Sequence, residues 1–247
     1  MKLEENSRLT TEGKQLLNNL EDTVGQNCTI DKSLYNKFNV KRGLRNSDGT
    51  GVLVGLTKIG EVHAYIMDEN EKVPVEGRLL YRGIDINELV NGFQKDKRFG
   101  FEECSYLLMF GELPTSRELK QFKEILGENR RLPEGFTRDM ILKAPSKDIM
   151  NKLARSVLAC YSYDDNPDDT DPINVVRQCI RLFTYFPTLA AYGYQALAHY
   201  HYNQSLHIHS PLPELSTAEN LLHLTRPDGK YTKLEAEILD LALVLHA

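Results

Sequence analysis

The chain has 247 residues, 41% of them hydrophobic and 26% charged, with a formal net charge of −5. That is enough apolar material to bury a sizeable core, which excludes disorder over most of the length; 16 Gly and 10 Pro without a period exclude collagen-like and low-complexity classes. The mild acidity argues against nucleic-acid binding, which draws on a clustered basic excess, and no run of about 18 apolar residues predicts a membrane-spanning helix.

The opening MKLEENSRLTTEGK is polar and lacks the apolar stretch of a signal peptide. Residues 1–34 read as a surface arm with a weak helical pattern over Leu9–Leu20. Lys41–Gly51, KRGLRNSDGTG, is dense in turn formers and carries Lys41, Arg42 and Arg45 as an exposed basic turn. VLVGLT (Val52–Thr57) and EVHAYIM (Glu61–Met67) are β-branched and aromatic, so they predict a hairpin. RLLYR (Arg78–Arg82) is a third short run able to pair with them. The expected sheet is small.

From Asp85 the pattern becomes helical. Asp85 with Glu88 predicts a capping box, as do Thr115 with Glu118 and Thr232 with Glu235. Gly111 and Gly127 read as helix stops. A helix over about Ser146–Cys160 has Ile149, Leu153, Val157 and Cys160 at helical spacing. After the acidic loop YDDNPDDTDP, Asp171 caps a helix with Pro172 in its first turn. Pro187 is expected to stop that helix, and a second is expected over Thr188–Tyr202. STAENLLHL, a turn at Arg226–Gly229 and TKLEAEILDLALVLHA close the chain. The sum is a mainly α architecture of packed helices.

The last segment is apolar on most sides. Leu234, Ile238, Leu241, Ala242 and Leu245 line one face, and Leu239, Leu243 and Val244 extend it. Such a helix belongs inside a protein, yet the sequence ends at His246-Ala247 without a capping signal. The expectation is a front fragment of a longer protein; the alternative is a domain whose last helix packs into a partner subunit.

No complete active site can be assembled from the residues alone. His199, His201, His207 and His209 form two His-x-His pairs, but no Cys or carboxylate stands at ligand spacing, so a solvated loop is preferred to a metal site. The acidic loop lacks the order of an EF-hand. Phosphate-binding loops and the GxSxG elbow are absent. Cys28, Cys104, Cys160 and Cys179 form no CxxC pair and read as reduced thiols, three of them in apolar helical contexts. Together with the polar amino terminus this points to the cytoplasm.

Four stretches carry a family resemblance. They are GRLLYRGIDINELV (Gly77–Val90), FEECSYLLMFGELPTSRELKQF, FPTLAAYGY (Phe186–Tyr194), and AENLLHL with LDLALVLHA (Ala218–Leu224 and Leu239–Ala247). In this order and spacing the chain resembles citrate synthase from about Tyr35 to its last residue. The resemblance implies a mainly α fold of citrate synthase type with a small antiparallel sheet near the amino terminus, residues 35–247 being the front part of the large helical domain. It implies a homodimer that condenses acetyl-CoA with oxaloacetate to citrate and CoA, with acetyl-CoA a substrate and no cofactor. The family's motif continues past His246-Ala247 into its catalytic His and Asp residues, so no catalytic residue is assigned within this sequence and the chain alone is expected to be inactive. His246 matches the first, non-catalytic His of that motif. It is expected either at the edge of the substrate site or in a purely structural role. A 2-methylcitrate synthase and a non-catalytic interaction module on the same scaffold are the other readings.

Overall fold

The computed structural model describes residues 31, 33–37, 43–46, 49–52, 57–68 and 71–247. It divides into two units, Met1–Leu56 and Thr57–Ala247. In the first, a short helix α1 (Ser33–Lys37) starts where Asp31 Oδ1 accepts the Ser33 N–H at 2.8 Å. The predicted turn is present: Asn46 N–H reaches the Thr50 carbonyl at 2.7 Å, and Arg45 bridges to Gly51. Arg45 donates to the Gly49 carbonyl at 3.0 Å, which commits its guanidinium within the turn. Lys41, Arg42 and Cys28, the predicted amino-terminal helix, and most of the strand predicted over Val52–Thr57 lie outside the described residues.

The second unit opens with an antiparallel ribbon. β1 (Gly60–Asp68) pairs with β2 (Glu71–Tyr81), and β2 pairs with β3 (Ile84–Asp85), in the order β1-β2-β3. RLLYR is therefore the inner end of a longer strand. Only that end of β2 reaches the core, where Tyr81 is 4% exposed, whereas Val73 near the strand's other end is 39% exposed. Arg82 (φ 51°) and Gly83 (φ 84°) make the tight turn into β3. Two successive left-handed residues match the twist of a two-residue hairpin. The non-glycine position is stabilised by its own side chain, since Arg82 Nη2 and Nε donate to the Leu108 carbonyl at 2.6 and 3.1 Å.

Helices supply the rest. They are α2 (Ile86–Lys95), α3 (Phe101–Phe110), α4 (Ser116–Glu128), α5 (Ile149–Cys160), α6 (Pro172–Tyr202), α7 (Thr217–Thr225) and α8 (Lys233–Leu245), with a π-helical turn at Thr137–Leu142. Thr115–Glu118, Ser216–Glu219 and Thr232–Glu235 are reciprocal capping boxes. Asp171 caps α6 with Pro172 in its first turn, and Gly111 in the left-handed region ends α3. Asp85 also caps its helix, but it accepts from Asn87 N–H and forms no reciprocal box with Glu88. α5 begins at Ile149, where Asp148 accepts from Asn151 N–H.

Two expectations about helix ends are corrected. α6 runs unbroken through Pro187. Proline removes one N–H and crowds the carbonyl four residues back, but the residues after it, Thr188, Leu189 and Ala191, are at most 1% exposed, so packing carries the helix onward. Gly127 does not end α4, which runs to Glu128. Its role is close approach: a Cβ there would lie 2.4 Å from the Pro213 carbonyl oxygen.

Two apolar clusters form the interior. One gathers Phe136, Ile141, Tyr185, Leu189, Tyr192 and Leu224 around the middle of α6. The other joins Tyr81, Ile86, Leu89, Cys104, Leu107 and Val244, from β2, α2, α3 and α8. Between α3 and α4 the rings of Tyr106, Phe110 and Phe122 meet with centroids 4.6–6.0 Å apart. Cys104 and Cys160 are buried as predicted, whereas Cys179 is exposed on α6.

Gly127→Ala tests the close approach. Helix propensity alone favours Ala by about 1 kcal/mol, but backbone at that distance reverses the sign. Urea unfolding should show a loss of about 1–3 kcal/mol; a gain would contradict the packing described.

Candidate functional site

The candidate site lies at the carboxy-terminal end of α8, where His246 caps the helix. Its Nδ1 is 2.7 Å from the Ala242 carbonyl. A carbonyl only accepts, so Nδ1 carries the hydrogen and Nε2 is the acceptor of the neutral ring. The imidazole is exposed. Beneath it, Tyr81 donates to the Val244 carbonyl at 3.0 Å and lies 3.3 Å from the Ala247 oxygen.

Four residues before Val244 on α8 stands Asp240, 1% exposed amid Leu239, Leu241 and Leu243. Its two oxygens accept the N–H groups of Gly100 and Phe101 at 2.7 and 3.1 Å. α3 has no cap from its own Gly100, so α8 supplies it. α3 in turn serves α7: Glu102, 1% exposed, accepts the Thr217 N–H at 2.7 Å. Its other oxygen is buried without a hydrogen-bond partner among the described residues. Arg130, 6% exposed, donates to the Leu212 and Leu215 carbonyls just before α7.

These placements set the electrostatics. Burial pushes the Asp240 carboxyl up to about 6; the Gly100 and Phe101 N–H groups oppose this and the Glu102 carboxylate adds to it. Lys123 lowers it slightly, and Glu237 and Lys97 border the small cavity beside it. Burial, then the Asp240 charge, pushes the Cys104 thiol up to about 12, so it is an inert core group. Burial likewise lowers the Lys152 ammonium, which binds the Met140 and Ala144 carbonyls.

An almost wholly apolar groove of about 370 Å³ runs beside α8. Phe186 and Pro187 of α6, Phe101 of α3, Leu221 of α7 and Leu243 of α8 line it. The face of α8 that the sequence marked as apolar is not the buried one. Ala236, Asp240 and Val244 point inward, while Leu234 and Ile238 are 64% and 60% exposed. The pattern was apolar on most sides, and only the partners actually present decide which stripe is covered.

The histidine-rich segment does not converge on one point. His209 Nε2 lies 3.1 Å from both the Arg226 and Pro227 carbonyls, His199 Nδ1 2.8 Å from the Gln204 carbonyl, and His223 Nδ1 3.2 Å from the Gly229 carbonyl. Among the described residues no three His, Cys, Asp or Glu groups are placed to hold a metal ion. Nor is any described helix long and apolar enough to cross a membrane.

A family model described as "Citrate synthase, C-terminal domain" matches residues 47–247. The chain belongs to the citrate synthase family. Among curated members, the citrate synthase of Corynebacterium glutamicum is 33% identical over 179 residues, covering 69% of this chain and 38% of that protein. The 2-methylcitrate synthase of Mycobacterium tuberculosis is 26% identical over 185 residues, covering 75% of this chain and 40% of that one. The crystal structure of citrate synthase from Pyrobaculum aerophilum shares the fold at TM-score 0.64 and 24% identity, over 84% of this chain and 50% of that chain. The chain thus spans half or less of the length of these citrate synthase relatives.

Within the family frame, the resembling stretches fall on the elements around the site. The YRG stretch forms the end of β2, its turn, β3 and α2; the FEEC stretch forms α3 and α4; the last forms α8. Glu102 stands in the first turn of α3, where a carboxylate is expected from the sequence, whereas Asp240, Arg130 and Lys152 were missed as structural groups. Asp240 had a signal: it is the lone charge in ILDLALVL.

Asp240 gives a pH signature. Its folded pKa, about 6, stands above the ordinary 3.8. Its contribution is therefore fully present below about pH 4 and lost as pH rises through about 6. The stability difference between the parent and Asp240→Asn should shift against the parent by about 3 kcal/mol between about pH 4 and 7 in urea titrations. A difference independent of pH would contradict the burial of an ionisable group there.

Proposed function

We propose that the whole protein is a citrate synthase, condensing acetyl-CoA with oxaloacetate to give citrate and free CoA. The observation that carries this is the match of residues 47–247 to the family, with the 33% identity to a curated citrate synthase. The new carbon–carbon bond joins the acetyl methyl carbon to the keto carbon of oxaloacetate, and water then releases CoA from the thioester. A carboxylate that removes the methyl proton and a His that donates to the thioester oxygen do this chemistry in the family. Positioned proton transfers of this kind contribute roughly 10²–10⁴ each.

In this reading, residues 35–247 are the front part of the large helical domain and carry no catalytic group. His246 sits at the edge of the oxaloacetate site, its Nδ1 anchored to the Ala242 carbonyl and its Nε2 left for a neighbouring polar group. Propionyl-CoA, giving 2-methylcitrate, is the second reading, favoured by the likeness to the mycobacterial enzyme.

The test is CoA-thiol release by the whole protein with oxaloacetate, using acetyl-CoA and propionyl-CoA in parallel. Release with acetyl-CoA supports the first reading and preference for propionyl-CoA the second; no release with either contradicts both. The 247-residue chain alone should give no turnover above background, and measurable turnover would overturn the assignment of catalysis to other segments.

The partner is a second copy of the protein. The exposure of Leu234 and Ile238 on α8, and separately the apolar groove that Phe186 and Leu243 line, support further helical packing on these surfaces. The isolated chain should self-associate in sedimentation velocity runs, and a monodisperse monomer at high concentration would count against a covered face.

A further inference from the structure

The hydrogen bonds around α8 close into a ring. Asp240 holds the first N–H groups of α3. The far end of α3 is held at the Leu108 carbonyl by Arg82. The residue beside Arg82 is Tyr81, whose hydroxyl returns to α8 at the Val244 carbonyl, one turn beyond Asp240. The path runs α8, α3, Arg82, Tyr81 and back to α8, and every link in it has a named donor and acceptor.

Packing alone does not require either grip. Val244 is fully buried and Tyr81 nearly so, and a phenylalanine ring at 81 would fill the same apolar cluster. An apolar residue at 240 would spare α8 a buried carboxylate, which is costly unless it is well hydrogen-bonded. What the two groups add is registration. Asp240 uses both oxygens on consecutive N–H groups, which limits rotation of α8 about its axis. The donor side is closely packed, since a Cβ on Gly100 would fall 2.3 Å from the Phe93 ring. Tyr81 limits sliding along the axis at the last turn. A slip of one residue would move the helix end by about 1.5 Å and turn it by about 100°.

We propose that Tyr81 and Asp240 are positioning residues for His246, setting the height and rotation at which α8 presents its imidazole to the substrate site. The proposal rests on the reading of His246 as an edge-of-site residue. A reacting or binding group misplaced by about 1 Å can cost about a hundredfold in rate, so registration of this helix end is functionally expensive to lose.

The test uses the whole protein with Tyr81→Phe, Asp240→Asn and His246→Asn, singly and as the pairs Tyr81→Phe/His246→Asn and Asp240→Asn/His246→Asn. Both positioning variants are nearly isosteric. Each should raise the KM for oxaloacetate about tenfold or more, with kcat changed less. In the His246→Asn background each should add no further loss, because its effect runs through the missing ring. An equal fold-loss in both backgrounds, or no loss at all, overturns the proposal. A second readout needs no activity: the His246 ring carbon–proton resonance, assigned by its disappearance in His246→Asn. It should move in Tyr81→Phe and Asp240→Asn, and an unmoved resonance in both overturns the proposal. If the whole parent protein releases no CoA, the functional reading fails, and the resonance alone decides whether these residues position His246.

Discussion

A carboxylate sits in the middle of the apolar helix α8, and the starts of two further helices are arranged around it. Asp240 is held by two consecutive N–H groups at the start of α3. Those groups have no partner within their own helix. α3 then lends Glu102 to the start of α7 in the same way. Three helices are thereby ordered by caps given from one to the next, α8 to α3 to α7. Each cap satisfies backbone groups that would otherwise be buried unpaired, at a cost of about 1–3 kcal/mol each. The burial that raises Asp240 toward 6 is the counterpart of that service: the group is worth its place only where it is fully bonded.

The consequence for function is spatial. The end of α8 is where the proposed function puts a substrate-edge histidine, and the cap on α3 and the Tyr81 hydroxyl both bear on that helix. The YRG and FEEC stretches and α8 meet in one core, through Tyr81, Ile86, Leu107 and Val244. What makes the chain resemble citrate synthases is therefore largely the frame of this core. The groove walled by Phe186, Pro187 and Leu243 borders the buried side of α8, and Leu234 and Ile238 on its other side are exposed. One face of α8 is tied to its own chain by polar bonds, and the opposite face, with Leu234 and Ile238, is apolar and exposed.

Local signals in the sequence were legible where the physics is local. Thr115 with Glu118 and Thr232 with Glu235 formed the expected boxes, and Asp171-Pro172 opened α6. These depend on four residues of chain and little else. Pro187 and Gly127 were misread as breaks because their meaning is tertiary: one lies in a helix held by buried flanks, the other against the Pro213 carbonyl. The buried face of α8 was likewise beyond reach of periodicity, since leucines occur on nearly every side. The candidate site was legible only through the family likeness. His246 carries no local mark of function, and Asp240, which did carry one, reads as a charged interruption until α3 is seen beside it.

Amide hydrogen exchange at Gly100 and Phe101 in the whole protein addresses the Asp240 cap most directly. Amides at a helix start ordinarily exchange fast, because no carbonyl of the same helix protects them. With Asp240 holding them they should exchange as slowly as the interior of α3, and speed up in Asp240→Ala. Exchange at the rate of an open peptide in the parent protein would mean that the carboxylate does not hold α3, and the arrangement of α8 described here would fall with it.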